Sequence, residues 1–286
     1  KDKEPGVAPL AAGRGWRVGH DFDYVIGDAV PLGVYLKGDT AKIVNPYEET
    51  DAFIPEIKVM HEFYKKGFVP KDAATSDQGY PLDADTWFMR RETVGPRDYG
   101  NYLLRAVSGK DLEIVPHGDS IIKTNADHVE ESVKLLNYIN SKPEIMNTLV
   151  YGLEGENWEK VGEDKIKLLP KYNEGATHMS AWNTGNAALL YKDERVTPEQ
   201  LAASEKGLKE ATDSPLLGFN FNQEPVADEI ANVNNVVNEY VAGLHTGTVD
   251  PEKVLPEFNK ALKDAGIDKI KEEMQRQYDE FLKNKN

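Results

Sequence analysis

Apolar residues recur at helical spacing through several long stretches of this chain, with short strand-like runs between them. Phe53, Ile57, Met60 and Tyr64 share one helical face, with Thr50 as the N-cap and Gly67 as the stop. Val129, Val133, Leu136 and Ile139 form a second such face, opened by Asp127 and Glu130 in a capping-box spacing. Pro143 then sits where a first-turn proline belongs, and Gly152 ends the helix it starts. Thr197 and Pro198 open a polar helix running to Ala211. Val226, Ile230, Val233, Val237 and Val241 mark a long helix stopped near Gly247, and Leu255, Phe258 and Leu262 another ended by Gly266. Ile270, Met274, Tyr278 and Phe281 line the last helix, predicted over Asp268 to Leu282.

Strand signals are shorter. Asp23–Val30 and Leu32–Leu36 are β-rich runs broken by Pro31, and Gly38-Asp39 turns the chain into Lys42-Ile-Val44. Leu112–Val115, ending at Pro116, and Ser120–Ile122 read as strands. Residues 1–19 lack periodicity and read as a loop, residues 72–100 resist a single period, and 152–191 read as mostly irregular. Strand and helix alternate first and amphipathic helices follow, a pattern of the α/β class with helical lobes.

Composition narrows what such a chain does. Its 286 residues exceed one comfortable core, so two lobes or one large α/β unit are expected. A formal charge of -15 repels phosphate backbones and anionic lipid, which argues against nucleic acid as a partner. No run of about 18 apolar residues is present. The absence of cysteine excludes disulfides and thiolate chemistry and fits either a reducing or an exported setting. No leader precedes the globular pattern, so an export signal would have been removed or would lie outside this sequence.

Catalytic constellations fail on spacing. A zinc-protease helix needs a second His one turn from the first, and His61-Glu62 lacks it. There is no Gly-x-Ser-x-Gly elbow and no P-loop, while Gly152–Gly155 lacks the third glycine and preceding strand of a dinucleotide fingerprint. Asp21-Phe-Asp23 lacks the glycine and final glutamate of a calcium loop. No metal or cofactor is expected. With 49 acidic residues, some pair at glycosidase separation arises in any fold, so that signal discriminates nothing.

The aromatics are more informative. Sugar rings offer apolar C–H faces that stack on Trp and Tyr, and hydroxyls that need carboxylate, carboxamide or guanidinium partners. Trp87 with Arg90, Tyr151 with Glu154 and Trp158, and Trp182 with Asn186 each place that combination in a segment read as irregular, where binding groups concentrate. These seven are the candidate ligand-binding residues, weighed against the plain alternative that each large aromatic packs a core.

Three punctuations in order, Tyr151-Gly-Leu-Glu-Gly155, Ser214-Pro-Leu-Leu-Gly-Phe219 and Lys263-Asp-Ala-Gly-Ile-Asp268, resemble extracytoplasmic solute-binding proteins of ABC importers. The resemblance is to the sugar-binding lipoprotein branch with a DUF3502-like C-terminal region. Leu135–Ile139, Pro143–Asn147, Asn232–Val236, Gly247–Pro251 and Gln275-Arg-Gln277 extend it, so that it covers most of Leu135–Phe281. Tyr64–Gly67 and Lys71–Thr75 agree with a family helix-to-loop signature. Asn157-Trp158 departs from the His-Tyr often found after the Glu-Gly pair, and the acylated Cys and first βαβ stretch with which such chains begin are not in this sequence.

The resemblance implies a periplasmic-binding-protein-like type II fold, two α/β lobes joined by a hinge, the first lobe incomplete here. It assigns residues 1–116 with 214–286 to one lobe and 120–211 to part of the other. It further implies a monomeric cell-surface lipoprotein that binds a sugar or oligosaccharide without chemistry and delivers it to a membrane permease. A glycoside-processing enzyme and an interaction module without a small ligand stay open as alternatives. Turnover would mark the first, and the lack of both turnover and ligand stabilisation the second.

Overall fold

The computed structural model describes residues 6–19, 21–77, 86–89, 113–114, 128–174 and 178–285. In chain order its elements are β1 (Ala8–Leu10), β2 (Phe22–Tyr24), β3 (Gly33–Tyr35), β4 (Ile43–Val44), α1 (Ile54–Lys65), β5 (Trp87–Met89), β6 (Glu113–Ile114), α2 (Val129–Ser141), α3 (Pro143–Tyr151), β7 (Trp158–Lys160), β8 (Lys165–Leu168), α4 (Ala181–Thr184), β9 (Lys192–Asp193), α5 (Pro198–Glu210), β10 (Thr212–Asp213), α6 (Ala227–Thr246), α7 (Pro251–Asp264) and α8 (Ile267–Asn284). The chain divides into two compact units, Lys1–Glu92 with Asp213–Asn286, and Thr93–Thr212.

In the larger unit, β2, β3 and β4 form an antiparallel meander. Its strands are shorter than the runs on either side of Pro31 predict, because the proline and the turn at Gly27 end the pairing at the bond from the Val25 N–H to the Leu32 carbonyl. The meander and α1 pack on α6, α7 and α8 through one core in which Phe53, Ile57, Val237, Leu244, Phe258, Leu262, Ile270, Met274 and Tyr278 are buried. The predicted faces of α6, α7 and α8 are therefore the core-facing ones. Gly247 (φ 75°) and Gly266 (φ 96°) stop helices in the left-handed region that side chains avoid. An added Cβ at Gly247 would stand 2.2 Å from the Met60 backbone, so this glycine also permits α1 and α6 to touch.

Several sequence expectations need correction here. Helix α1 begins at Ile54, and Thr50 Oγ1 accepts from the Ala52 N–H instead of capping it. Pro55 in the first turn already lacks the donor that a cap would satisfy. Residues 1–19 are not all loop, since β1 pairs in parallel with β5, Ala8 opposite Trp87 and Leu10 opposite Met89. Pro9 fits because neither strand has a second neighbour among the described residues. For α2, Asp127 lies outside the described residues and the N-cap His128 makes no side-chain cap bond. Ser120–Ile122 also lies outside them.

The smaller unit has its own core of Met146, Val150, Tyr151, Trp158, Ile166 and Tyr172. Residues 152–191, read as irregular, hold β7 and β8, which with β9 just beyond them form a three-stranded sheet β7-β8-β9, antiparallel then parallel. Its strands are two to four residues long, too short for alternation to stand out in the sequence. Helix α5 starts with a full capping box, Thr197 and Gln200 each bonding the other's backbone N–H.

Candidate functional site

The loop between α3 and β7, with the residues at its two ends, holds three of the sequence candidates and is closely hydrogen-bonded. Gly152 ends α3 with φ 85° and ψ -151°, a conformation open in practice to glycine alone. That bend lets Asn157 reach back: its Oδ1 accepts from the Leu153 N–H at 3.0 Å, and its own N–H donates to the Leu153 carbonyl at 2.9 Å. The Gly155 N–H donates to the Trp158 carbonyl at 2.7 Å, and the Trp158 indole Nε1–H donates to the Gly152 carbonyl at 2.9 Å. Residues 152–158 thus close on themselves through backbone and side chain together.

This closure decides what each candidate can do. Tyr151 and Trp158 are buried at 4% and 5% exposure, and their polar heads are spent inside the protein, on the Tyr191 and Gly152 carbonyls. Trp158 also packs against the Tyr191 ring at 5.9 Å. They form the base of the loop. Glu154 is exposed on its outer side, beside the exposed Leu153. Lys171 pairs with Glu156 across the loop's edge. Asn186 is exposed as well, its Oδ1 accepting from the Ala188 N–H at 3.1 Å and its Nδ2 donating to the Asn140 carbonyl at 3.4 Å. Trp87 belongs to the larger unit, in β5, where it is 3% exposed. Arg90 lies outside the described residues, as does the side chain of Trp182 in α4. The structure therefore brings together Tyr151, Glu154 and Trp158.

Groups that sequence reasoning passed over lie in the larger unit. His245 is fully buried at the end of α6, its Nδ1 accepting from the Val18 N–H at 2.8 Å while Nε2 meets the Tyr47 hydroxyl at 2.6 Å. An Nδ1 that accepts carries no proton, so the ring is the neutral Nε2–H tautomer. Burial pushes the Tyr47 phenol well above its ordinary range. Asp23 is buried and accepts from the Ser214 hydroxyl; desolvation raises its carboxyl and that hydrogen bond partly offsets the rise. On α8, Gln275 accepts from the Ile43 N–H at 2.7 Å and donates to the Ala41 carbonyl at 2.9 Å, taking the place of a neighbouring strand. Nothing in the spacing of these residues announces their partners, which lie 191 to 234 positions away. Among the described residues no group of three or more His, Asp or Glu is placed to hold a metal ion, and no helix is long and apolar enough to cross a membrane.

Comparison with known proteins identifies what this arrangement is similar to. Residues 215–283 match a domain of unknown function, DUF3502. A carbohydrate ABC transporter substrate-binding protein of Streptococcus pneumoniae serotype 4 is 45% identical over an alignment of 300 residues, which takes in all of this chain and 61% of that protein. The crystal structure of the N-glycan transport solute binding protein NgtS from Streptococcus pneumoniae superimposes with a TM-score of 0.84 at 44% identity, over 100% of this chain and 66% of that one. The same protein in complex with Man5GlcNAc gives 0.80 at 45% identity with the same coverage. The alginate-binding protein AlgQ2 shares the fold at 18% identity, with a TM-score of 0.56 over 98% of this chain and 65% of that one. This chain thus spans a little under two thirds of the relatives it matches.

Proposed function

We propose that the chain belongs with the solute-binding proteins of ABC transporters that it resembles, has their periplasmic-binding-protein-like fold, and is the greater part of an oligosaccharide receptor. The receptor captures an N-glycan-type sugar and hands it, chemically unchanged, to a membrane permease. The observation that carries this reading is the alignment of all 286 residues with an N-glycan transport protein at 44% identity and a TM-score of 0.84. Identity at that level over the whole chain favours a shared ligand chemistry over a shared scaffold alone.

On this reading the larger unit belongs to one α/β lobe of the receptor and the smaller unit to part of the other. The protein works outside the cytoplasm as a monomer held by a lipid anchor. Its ligand-binding residues are drawn from Trp87, Arg90, Tyr151, Glu154, Trp158, Trp182 and Asn186. Glu154 offers an exposed carboxylate to sugar hydroxyls, while the buried Tyr151 and Trp158 hold the loop in shape beneath it. Binding without hydrolysis separates this receptor from a glycosidase.

Titration calorimetry of the protein against Man5GlcNAc and related N-glycan fragments tests the reading, with a reducing-end assay on the same mixtures. Heat of binding with no released sugar is expected. Turnover, or the absence of binding to every oligosaccharide, would overturn it. Glu154→Gln is expected to weaken binding without moving the melting temperature, which Trp158→Ala cannot test because it also removes the base of the loop.

A further inference from the structure

In the larger unit, residues 219–223 run without helix or strand toward α6. Phe221 anchors the run in the core at 5% exposure, while Asn220, Asn222, Gln223 and Glu224 stay exposed. These five residues, 220–224, line an open groove of about 420 Å³, a volume in the range of small-ligand sites.

The segment is held in shape from outside itself. The Gln277 carboxamide accepts from the Asn222 N–H at 2.8 Å and donates to the Asn222 carbonyl at 3.0 Å, satisfying both backbone groups of one residue as a neighbouring strand would. Gln277 is itself oriented, since its Nε2 also donates to Glu273 at 2.7 Å. Glu273 in turn accepts two bonds from the Arg276 guanidinium, at 2.9 and 2.6 Å. Those bonds hold the Glu273 carboxyl down to about 2, so it stays an acceptor throughout the working pH range. The Asn222 side chain is spent on the Glu224 N–H. The side-chain heads of Asn220, Gln223 and Glu224 make no hydrogen bond or ion pair among the described residues.

We propose that this groove is a sugar subsite on the larger unit, in which Asn220, Gln223 and Glu224 bind hydroxyls of the oligosaccharide and Gln277 acts as a positioning residue. The inference rests on the receptor reading above. Two carboxamides and a carboxylate supply the donors and acceptors that sugar hydroxyls need, on a segment that the buried Phe221 pins to the core. The one charged side chain in the lining is Glu224, which suits a neutral ligand better than an anionic one. Fixing the backbone beforehand removes an ordering cost that a mobile loop would incur on binding.

The test is calorimetry with Man5GlcNAc on the wild-type protein, on the Asn220→Ala/Gln223→Ala double variant and on Gln277→Leu. All substituted groups of the double variant are exposed, so its melting temperature should equal the wild type's. Its Kd should rise about tenfold or more, the loss of one to two hydrogen bonds to ligand. Gln277→Leu should raise Kd in the same direction while speeding amide exchange at Asn222, a readout that a role remote from the groove would not move. If the wild type binds and the double variant binds equally well, the subsite assignment is wrong and the receptor reading stands. If the wild type binds no oligosaccharide, both fall.

Discussion

Substituting Gly152 by alanine probes the loop on which the site reading depends. At φ 85° and ψ -151° the backbone lies where a side chain costs about 1–3 kcal/mol. The new Cβ would also stand 2.5 Å from Asn157 Oδ1 and 2.7 Å from its Cγ, so the carboxamide must move. Moving it strips the acceptor from the Leu153 N–H, worth about 1 kcal/mol net. The sum is roughly 2–4 kcal/mol, placed at the junction of α3 and the β7-β8-β9 sheet. For a unit of this size it corresponds to a fall of roughly 8–16 °C in melting temperature. Scanning calorimetry, read alongside the fluorescence of Trp158, follows the transition of the smaller unit. The Gly152→Ala/Asn157→Ala pair should be less damaging than the two single effects summed, because the clashing partner is gone. A melting temperature within about 2 °C of wild type for Gly152→Ala would refute the account of strain and clash together.

Three further outcomes are expected. Asp23 has a folded-state pKa above its unfolded value near 3.8, so the fold disfavours its ionised form. Stability from this group therefore rises as pH falls from neutrality through the folded value, and is complete below the unfolded one. Asp23→Asn should raise the urea midpoint at pH 7 and lose that advantage near pH 4. His245→Phe leaves the Val18 N–H and the Tyr47 hydroxyl without this partner inside the core, a loss of about 2–4 kcal/mol measurable by denaturant titration at pH 7. Arg276→Ala removes the main cause of the Glu273 shift, so the carboxyl titration followed by NMR should move from about 2 toward the ordinary 4.5.

How much of this was legible beforehand differs by element. Helices α6, α7 and α8 are visible in the sequence because each buries one face along many turns, and apolar residues at Val233, Val237, Val241, Phe258, Leu262, Ile270 and Met274 repeat the helical period. The sheet β7-β8-β9 was missed because two to four residues cannot display a period, and its existence depends on Lys165–Leu168 meeting two segments at once. Strand β1 depends likewise on β5, more than 70 positions downstream. For the candidate site, Tyr151, Glu154 and Trp158 were found by residue type and spacing. Their division into two buried supports and one exposed carboxylate was not, because exposure depends on what packs over a side chain.

By itself, then, the order of residues determined the α/β class, the core-facing sides of α1, α6, α7 and α8, the glycine stops at Gly152, Gly247 and Gly266, and the resemblance to solute-binding proteins, since all of these rest on short-range spacing or local motif; the apolar side predicted for α2 leaves Val129 and Val133 exposed. Only the tertiary structure decided that Asn157 folds back on Leu153, that His245 is neutral between Val18 and Tyr47, and that Gln277 supports Asn222 as a strand would. Those outcomes follow from satisfying buried or constrained polar groups with partners brought near by the fold, and no local pattern encodes which partner arrives.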